Sequence, residues 1–179
     1  PITNSLFSFI GRLYSLINIL TEIVMRNQYR DCNLSASEIL AIYFYCGDGY
    51  KIINPALRDG TVGPSLKPTV AAIQSGLSKL ASYNGLVRRG VSMTDFEVKN
   101  QFGAGQIKFP AFTSSSLGNG FGRNVRMDIY SRNGKYVAPL SGLPNEEEVL
   151  FKPGTQLNML HREDKPGIYY FVFEETKSP

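Results

Sequence analysis

Histidine and cysteine are nearly missing from this 179-residue chain: His161 stands alone, and Cys32 and Cys46 are the two cysteines. That inventory supplies neither a four-cysteine nor a two-cysteine, two-histidine zinc site, nor a disulfide framework, and it argues against metal chemistry. A serine hydrolase triad would have to use His161, yet no G-x-S-x-G elbow accompanies it. No G-x-x-x-x-G-K-[ST] phosphate loop occurs either. Gly118, Gly120 and Gly122 follow a G-x-G-x-G spacing rather than the dinucleotide-binding G-x-G-x-x-G, with no strand before them and no helix after. P-loop and Rossmann enzymes are thereby set aside. An initiator Met, a basic leader and a small-residue cleavage site are all lacking, so the sequence reads as a piece of a longer polypeptide.

Charge of one sign is scarce as well. Nineteen Lys and Arg against 15 Asp and Glu leave a net charge of +4, and the basic residues are scattered. This mild excess suits an acidic partner without naming one, and it argues against a basic module that binds nucleic acid. What is present is ordinary for a packed globular domain: 42% hydrophobic residues, 17 glycines and 10 prolines. The length suits one domain, read here as residues 1–179 with a helical segment over 1–33 and a core over 34–179.

Leu6, Ile10, Leu13, Ile17, Leu20 and Val24 recur at helical spacing, and Phe9, Leu16 and Ile23 form a second stripe. The pattern predicts a long helix over 6–24, interrupted by Arg12 and Glu22 and so not a stable membrane span. Its two stripes suit a surface covered by a carrier, partner or immunity protein. Ser35 and Glu38 form a capping box that starts a second helix near Ala36, and Gly47, Asp48 and Gly49 break it. A helix over 50–58 turns Ile53 and Leu57 inward, and Pro68 opens another through Ile73, Leu77 and Leu80. From Leu86 onward short apolar segments alternate with Gly, Asn and Pro, predicting strands at 86–90, 107–114, 125–130, 148–151, 156–160 and 168–173. Helices followed by strands mean an α+β domain with a largely antiparallel sheet.

Three polar groupings sit on or beside these strands: Arg88-Arg89 before Gly90, Ser114-Ser115-Ser116 after Phe112, and Glu146-Glu147-Glu148 before Val149. Each alone is an ordinary solvated feature. Arginine before glycine, then Phe-x-Ser-x-Ser, then Glu-x-Glu leading into Val-Leu-Phe, resembles the signature of arginine-specific mono-ADP-ribosyltransferase toxins, the R-S-E group. The stretch 34–58 is similar to the helical region of clostridial and cholera-like transferases, with Tyr45, Tyr50 and Asn54 matching, and 146–155 matches the end of that fold. The resemblance implies an ADP-ribosyltransferase-like fold: N-terminal helices followed by a largely antiparallel two-sheet β core.

It also implies roles. NAD is the substrate, with Tyr45, Tyr50, Asn54, Arg88, Arg89, Gly90, Ser114, Phe121, Arg123 and Glu148 as its contacts. A guanidinium fork suits phosphate oxygens, and Arg89 directly precedes Gly90 as the family's arginine does; some relatives use two neighbouring arginines, which keeps Arg88 in play. Glu148 is the catalytic carboxylate, because cleaving nicotinamide from ribose builds positive charge on the sugar. Read as an extended segment, 146–148 puts Glu146 and Glu148 on one face and Glu147 on the other, leaving Glu146 to align and deprotonate the acceptor guanidinium. Ser114 fixes Glu148 and the ribose edge, while Ser116 is structural.

The leading functional reading is transfer of ADP-ribose from NAD to an arginine of a target protein. An NAD glycohydrolase on the same fold is the first alternative, disfavoured by Glu146; a non-catalytic basic binding module is the second. The resemblance further implies the C-terminal warhead of a secreted bacterial toxin or effector acting in the target-cell cytoplasm. Its expected partners are an acceptor such as actin or a bacterial division protein and, for a bacterial victim, an immunity protein.

Overall fold

A computed structural model describes residues 30–120 and 123–176, together with Ser15 and Asn18. Apart from those two residues, the expected helix over 6–24 lies outside the described residues, as does Phe121.

Helix α1 (Ala36–Phe44) starts where the capping box requires: Ser35 Oγ accepts the Glu38 amide at 3.3 Å, and the Glu38 carboxylate accepts the Ser35 amide at 2.7 Å. Glu38 also receives Lys79 Nζ at 2.8 Å and Ser75 Oγ at 2.6 Å, which ties α1 to α3 (Lys67–Lys79). The two helices approach closely at Gly76, where an added Cβ would stand 2.9 Å from Ile42 Cδ1. Between them in the sequence comes α2 (Tyr50–Arg58), which turns Ile53 fully inward. Gly47-Asp48-Gly49 breaks the helix as expected: Gly47 leaves helical geometry at φ −83°, ψ −110°, so the turn Tyr45–Gly49 is a kink after which α2 begins directly.

Among the described residues the second half holds seven strands: β1 (Ser82–Val91), β2 (Gln106–Lys108), β3 (Thr113–Ser116), β4 (Val125–Tyr136), β5 (Glu148–Phe151), β6 (Gln156–Lys165) and β7 (Ile168–Glu175). The expected strand over 107–114 is two strands, split at Pro110, which has no amide to give a ladder. A fourth helix, α4 (Asp95–Phe102), stands among the strands. It has its own capping box, Thr94 with Glu97, and buries Val98 and Phe102 one turn apart. Phe102 packs on Phe171 with ring centroids 4.5 Å apart.

Strand pairing is antiparallel except for β4 with β7. The expected two-sheet core takes the form of one continuous ladder, ordered β1-β3-β5-β4-β7-β6-β2, joined through the β4–β5 pairing, and β1 also pairs with β4. Strands β1, β3, β5 and β4 thus close into a ring. One apolar cluster joins α1, α2 and α3 to Phe112, Val137, Leu140 and Leu150, and a second joins α4 to the sheet. Tyr45, just past α1, therefore packs on Phe112, just before β3, and the same cluster reaches Leu150 of β5, so α1 ends near the strands that carry the serine and glutamate groupings. No helix among the described residues is long and apolar enough to cross a membrane.

Candidate active site

A cavity of about 480 Å³ opens where the kinked turn Tyr45–Gly49, β1, β3 and the start of β5 meet. Its wall brings together Tyr45, Tyr50, Asn54, Arg89, Gly90, Ser114, Arg123, Glu146 and Glu148, residues spread over more than a hundred positions of sequence. The topology accounts for this. Ser116 pairs with Glu148 across the β3–β5 ladder, so Ser114, two residues along on the same face, lies diagonal to Glu148. On the other side of β3, Arg88 pairs with Ser116, which places Arg89 beside the serine strand.

Arg88 and Arg89 part company here. Arg89 Nη1 donates to the Ser114 carbonyl at 2.5 Å and faces the cavity. Arg88 does not line it. Its Nη1 donates to the Gly118 carbonyl at 3.2 Å, and its Nε lies 3.7 Å from Asp128. Burial lowers the Arg89 pKa from its usual value, with Arg58 adding to the effect and Tyr45 and Glu148 opposing it. A half-buried guanidinium facing the cavity attracts an anionic ligand.

Glu148 is 5% exposed at the first position of β5. Burial raises its pKa, and Glu146 adds to the rise, while Ser114, Cys46 and Arg89 oppose it by stabilising the ionised form. Glu146 reaches the same cavity by a route other than the expected extended segment. Pro144–Glu146 form a 3-10 turn, and Glu147 sits in left-handed geometry at φ 48° before the strand begins. The turn is tied down by Ser116, whose Oγ donates to the Glu146 carbonyl at 2.8 Å, and by the Leu117 amide, which donates to the Glu147 carbonyl. Ser116 is thus a structural brace. Glu147 is exposed and does not line the cavity.

On the helical side, Asn54 Nδ2 donates to the Tyr45 hydroxyl at 3.0 Å. Tyr45 is 1% exposed and packs edge-on against Phe112 at 5.3 Å, and burial pushes its phenol pKa up. Two buried polar atoms of cavity residues, Asn54 Oδ1 and Ser115 Oγ, have no hydrogen-bond partner among the described residues. Such atoms are costly unless a ligand or water satisfies them. Tyr50 is 44% exposed at the rim, and Arg123 is exposed.

The cavity also takes in Cys46, Gly47, Asp48, Ser115 and Leu143, to which the sequence reading assigned no role at the site. Cys46 directly follows the matched Tyr45, and Asp48 lies two residues before the matched Tyr50; that proximity was the available signal. Chemically, the arrangement offers two carboxylates, a half-buried cation and hydroxyl donors around one space, without a nucleophile activated by a base among the described residues.

Residues 25–177 match the family model described as ADP-ribosyltransferase exoenzyme. The NAD(+)–protein-arginine ADP-ribosyltransferase Tre1 of Serratia proteamaculans is 33% identical over 145 residues, covering 79% of this chain and 32% of Tre1. This chain thus spans about a third of that relative. In fold, the type III effector XopAI of Xanthomonas axonopodis pv. citri superposes with a TM-score of 0.78 at 19% identity, covering 93% of this chain and 75% of its own. Exoenzyme S of Pseudomonas aeruginosa, solved with 14-3-3 protein beta and carba-NAD, gives 0.69 at 22% identity, covering 90% and 88%.

Proposed function

The chain belongs to the ADP-ribosyltransferase exoenzyme family, and on that premise we propose that it transfers ADP-ribose from NAD to an arginine of a target protein, releasing nicotinamide. The observation that carries this reading is the convergence of Glu146 and Glu148 on one cavity beside Arg89. The cavity fits NAD in kind: its volume falls in the range of ligand pockets, Arg89 offers a cationic fork to the pyrophosphate, and Asn54 Oδ1 and Ser115 Oγ await donors.

In this mechanism the bond between ribose C1 and the nicotinamide nitrogen breaks, and its electron pair leaves with nicotinamide. Positive charge grows on the ribose. Ionised Glu148 stabilises that charge more in the transition state than in the ground state. Ser114, beside it, keeps the carboxylate oriented. An acceptor guanidinium is protonated when free, so Glu146 aligns it and takes its proton as nitrogen bonds to C1. Leu143, 52% exposed at the rim three residues before Glu146, faces the side from which a protein acceptor arrives.

The acceptor belongs to another cell, with actin or a bacterial division protein as the leading choices, and the domain acts in that cell's cytoplasm after delivery by a secretion or toxin system. Where the victim is a bacterium, an immunity protein is its partner. The names of Tre1 and of the secreted exoenzyme S support an arginine acceptor and export. Incubating the domain with labelled NAD and lysates of bacterial and eukaryotic cells tests the reading. A labelled protein modified at arginine supports it. Nicotinamide release with no labelled protein in either lysate replaces it with NAD hydrolysis.

A further inference from the structure

The turn that carries Glu146 depends on its neighbours. Glu147 sits in left-handed geometry at φ 48°, a conformation that a residue with a side chain keeps only when its surroundings fix it. Two carbonyls of the turn are fixed by the end of β3 and the residue after it. The Glu146 carbonyl accepts Ser116 Oγ at 2.8 Å, and the Glu147 carbonyl accepts the Leu117 amide at 3.1 Å. The chain beyond Ser116 is loose by composition: Gly118 and Gly120 lie in Leu117–Gly120, and Gly120 takes φ +68°. It rests on Arg88. An added Cβ on Gly120 would stand 3.3 Å from Arg88 Cβ, and Arg88 Nη1 donates to the Gly118 carbonyl at 3.2 Å. The Gly118 amide donates in turn to Ser116 Oγ at 3.0 Å. Ser116 Oγ thus accepts from Gly118 while donating to Glu146, and each bond polarises the other. Arg88 is itself held. It pairs with Ser116 across β1–β3 and with Asp128 across β1–β4, and its Nε lies 3.7 Å from Asp128 Oδ1, while Asp128 Oδ2 accepts the Tyr170 hydroxyl at 3.1 Å. None of Arg88, Ser116 and Gly118 lines the cavity.

We propose that Arg88 is a positioning residue for Glu146: from outside the cavity it fixes Gly118 and, through Ser116, the turn that aims the acceptor carboxylate. The proposal deepens the transferase reading and rests on Glu146 being the group that meets the acceptor. It gives the two neighbouring arginines separate tasks, Arg89 on the NAD side and Arg88 on the acceptor side. Arg88 reaches the reacting groups only through Gly118, Ser116 and the backbone of the turn. Its loss therefore changes where Glu146 stands and leaves untouched the groups that stabilise the charged ribose. Transfer to a guanidine needs Glu146 in place, whereas hydrolysis needs Glu148 alone. The effect of losing Arg88 is thus selective: transfer falls while hydrolysis continues.

The test reads the turn and the reaction separately. Amide hydrogen exchange in the free protein follows the turn with no reference to NAD, and agmatine, a small guanidine, serves as the acceptor. Arg88→Met keeps the aliphatic stem and removes the donors. In this variant the amides of Leu117, Gly118 and Glu147 are expected to exchange about tenfold faster, and kcat/KM for agmatine to fall about tenfold. Nicotinamide release without agmatine stays within about threefold of wild type. Arg88→Lys keeps the charge and a donor, and is expected to lie between Met and wild type in both exchange and transfer. Ser116→Ala gives the same pattern as Met, and the double variant falls no further than the worse single, as expected of residues acting along one chain. Unchanged exchange in Arg88→Met, in a protein of unchanged thermal midpoint, overturns the proposal. So does a loss of hydrolysis and NAD affinity as large as the loss of transfer, which would put Arg88 on NAD. Losses that multiply in the double variant break the link between Arg88 and Ser116 and overturn it too. Faster exchange with full agmatine transfer leaves a structural contact and removes the functional role. Wild-type protein that releases nicotinamide but modifies neither agmatine nor protein removes the transferase reading and that role with it, while the exchange rates still decide whether Arg88 holds the turn.

Discussion

Arg88 and Arg89 are neighbours on β1, yet Arg89 bonds the Ser114 carbonyl inside the cavity and Arg88 bonds the Gly118 carbonyl outside it. Adjacent strand residues point to opposite sides, so a single residue of register decides which guanidinium meets the ligand. Arg89→Ala is expected to weaken NAD binding about tenfold to a hundredfold, the loss of a charge-assisted contact of about 1.5–3 kcal/mol. Arg88→Ala gives up a partly exposed ion pair with Asp128 and should leave NAD affinity within about threefold. Calorimetry on both variants measures this, and the reverse order of effects would hand the cofactor role to Arg88.

Glu148 is held in its charged form at a cost. Its folded pKa lies above the usual value because of burial, so ionising it opposes folding once pH rises through the ordinary glutamate range. Glu148→Gln removes that cost and should unfold at a higher temperature than wild type at pH 7, with the gain fading towards pH 4. Thermal melts at the two pH values decide. A Gln variant less stable than wild type at pH 7 would mean that Glu148 stabilises the fold.

Glu38 shows the opposite sign. Lys79, Ser75 and Ser35 lower its pKa from the usual 4.5 to about 2. The stability it gives is present above pH 4.5 and is lost as pH falls towards 2. Glu38→Ala should cost about 2 kcal/mol at pH 7, through the capping box and the contacts to α3. The gap between variant and wild type should close in urea titrations at the acid end. Because α1 leads into Tyr45 and Cys46, loss of this anchor should also lower NAD affinity.

Much of this architecture was legible in the residues themselves. Ser35 with Glu38 marked the start of α1, 50–58 was bounded as found, and Glu148 through Phe151 form the strand that their apolar run predicts. The helix Asp95–Phe102 was hidden by its surroundings: its capping box, Thr94 with Glu97, is as good as the first but stands among glycine-punctuated strand segments. The i, i+2 spacing of Glu146 and Glu148 suggested one extended face, but Pro144 starts a 3-10 turn and Glu147 adopts left-handed geometry. Both carboxylates still reach the cavity, because the turn is braced by Ser116. Cys46 gave no signal, since a lone cysteine in an apolar stretch reads as core. It lines the cavity at the end of α1, just before the break that the glycine pair around Asp48 signals.

The central claim is that two carboxylates divide one reaction, Glu148 acting on the ribose and Glu146 on the acceptor guanidinium. Nicotinamide release and protein labelling, measured in parallel for wild type, Glu146→Gln, Glu147→Ala and Glu148→Gln, test it most directly. The account predicts that Glu148→Gln loses both activities and that Glu147→Ala keeps both. It predicts that Glu146→Gln loses labelling while retaining much of the slow hydrolysis, because water still reaches the same charged centre. Loss of hydrolysis in Glu146→Gln as complete as in Glu148→Gln would contradict it.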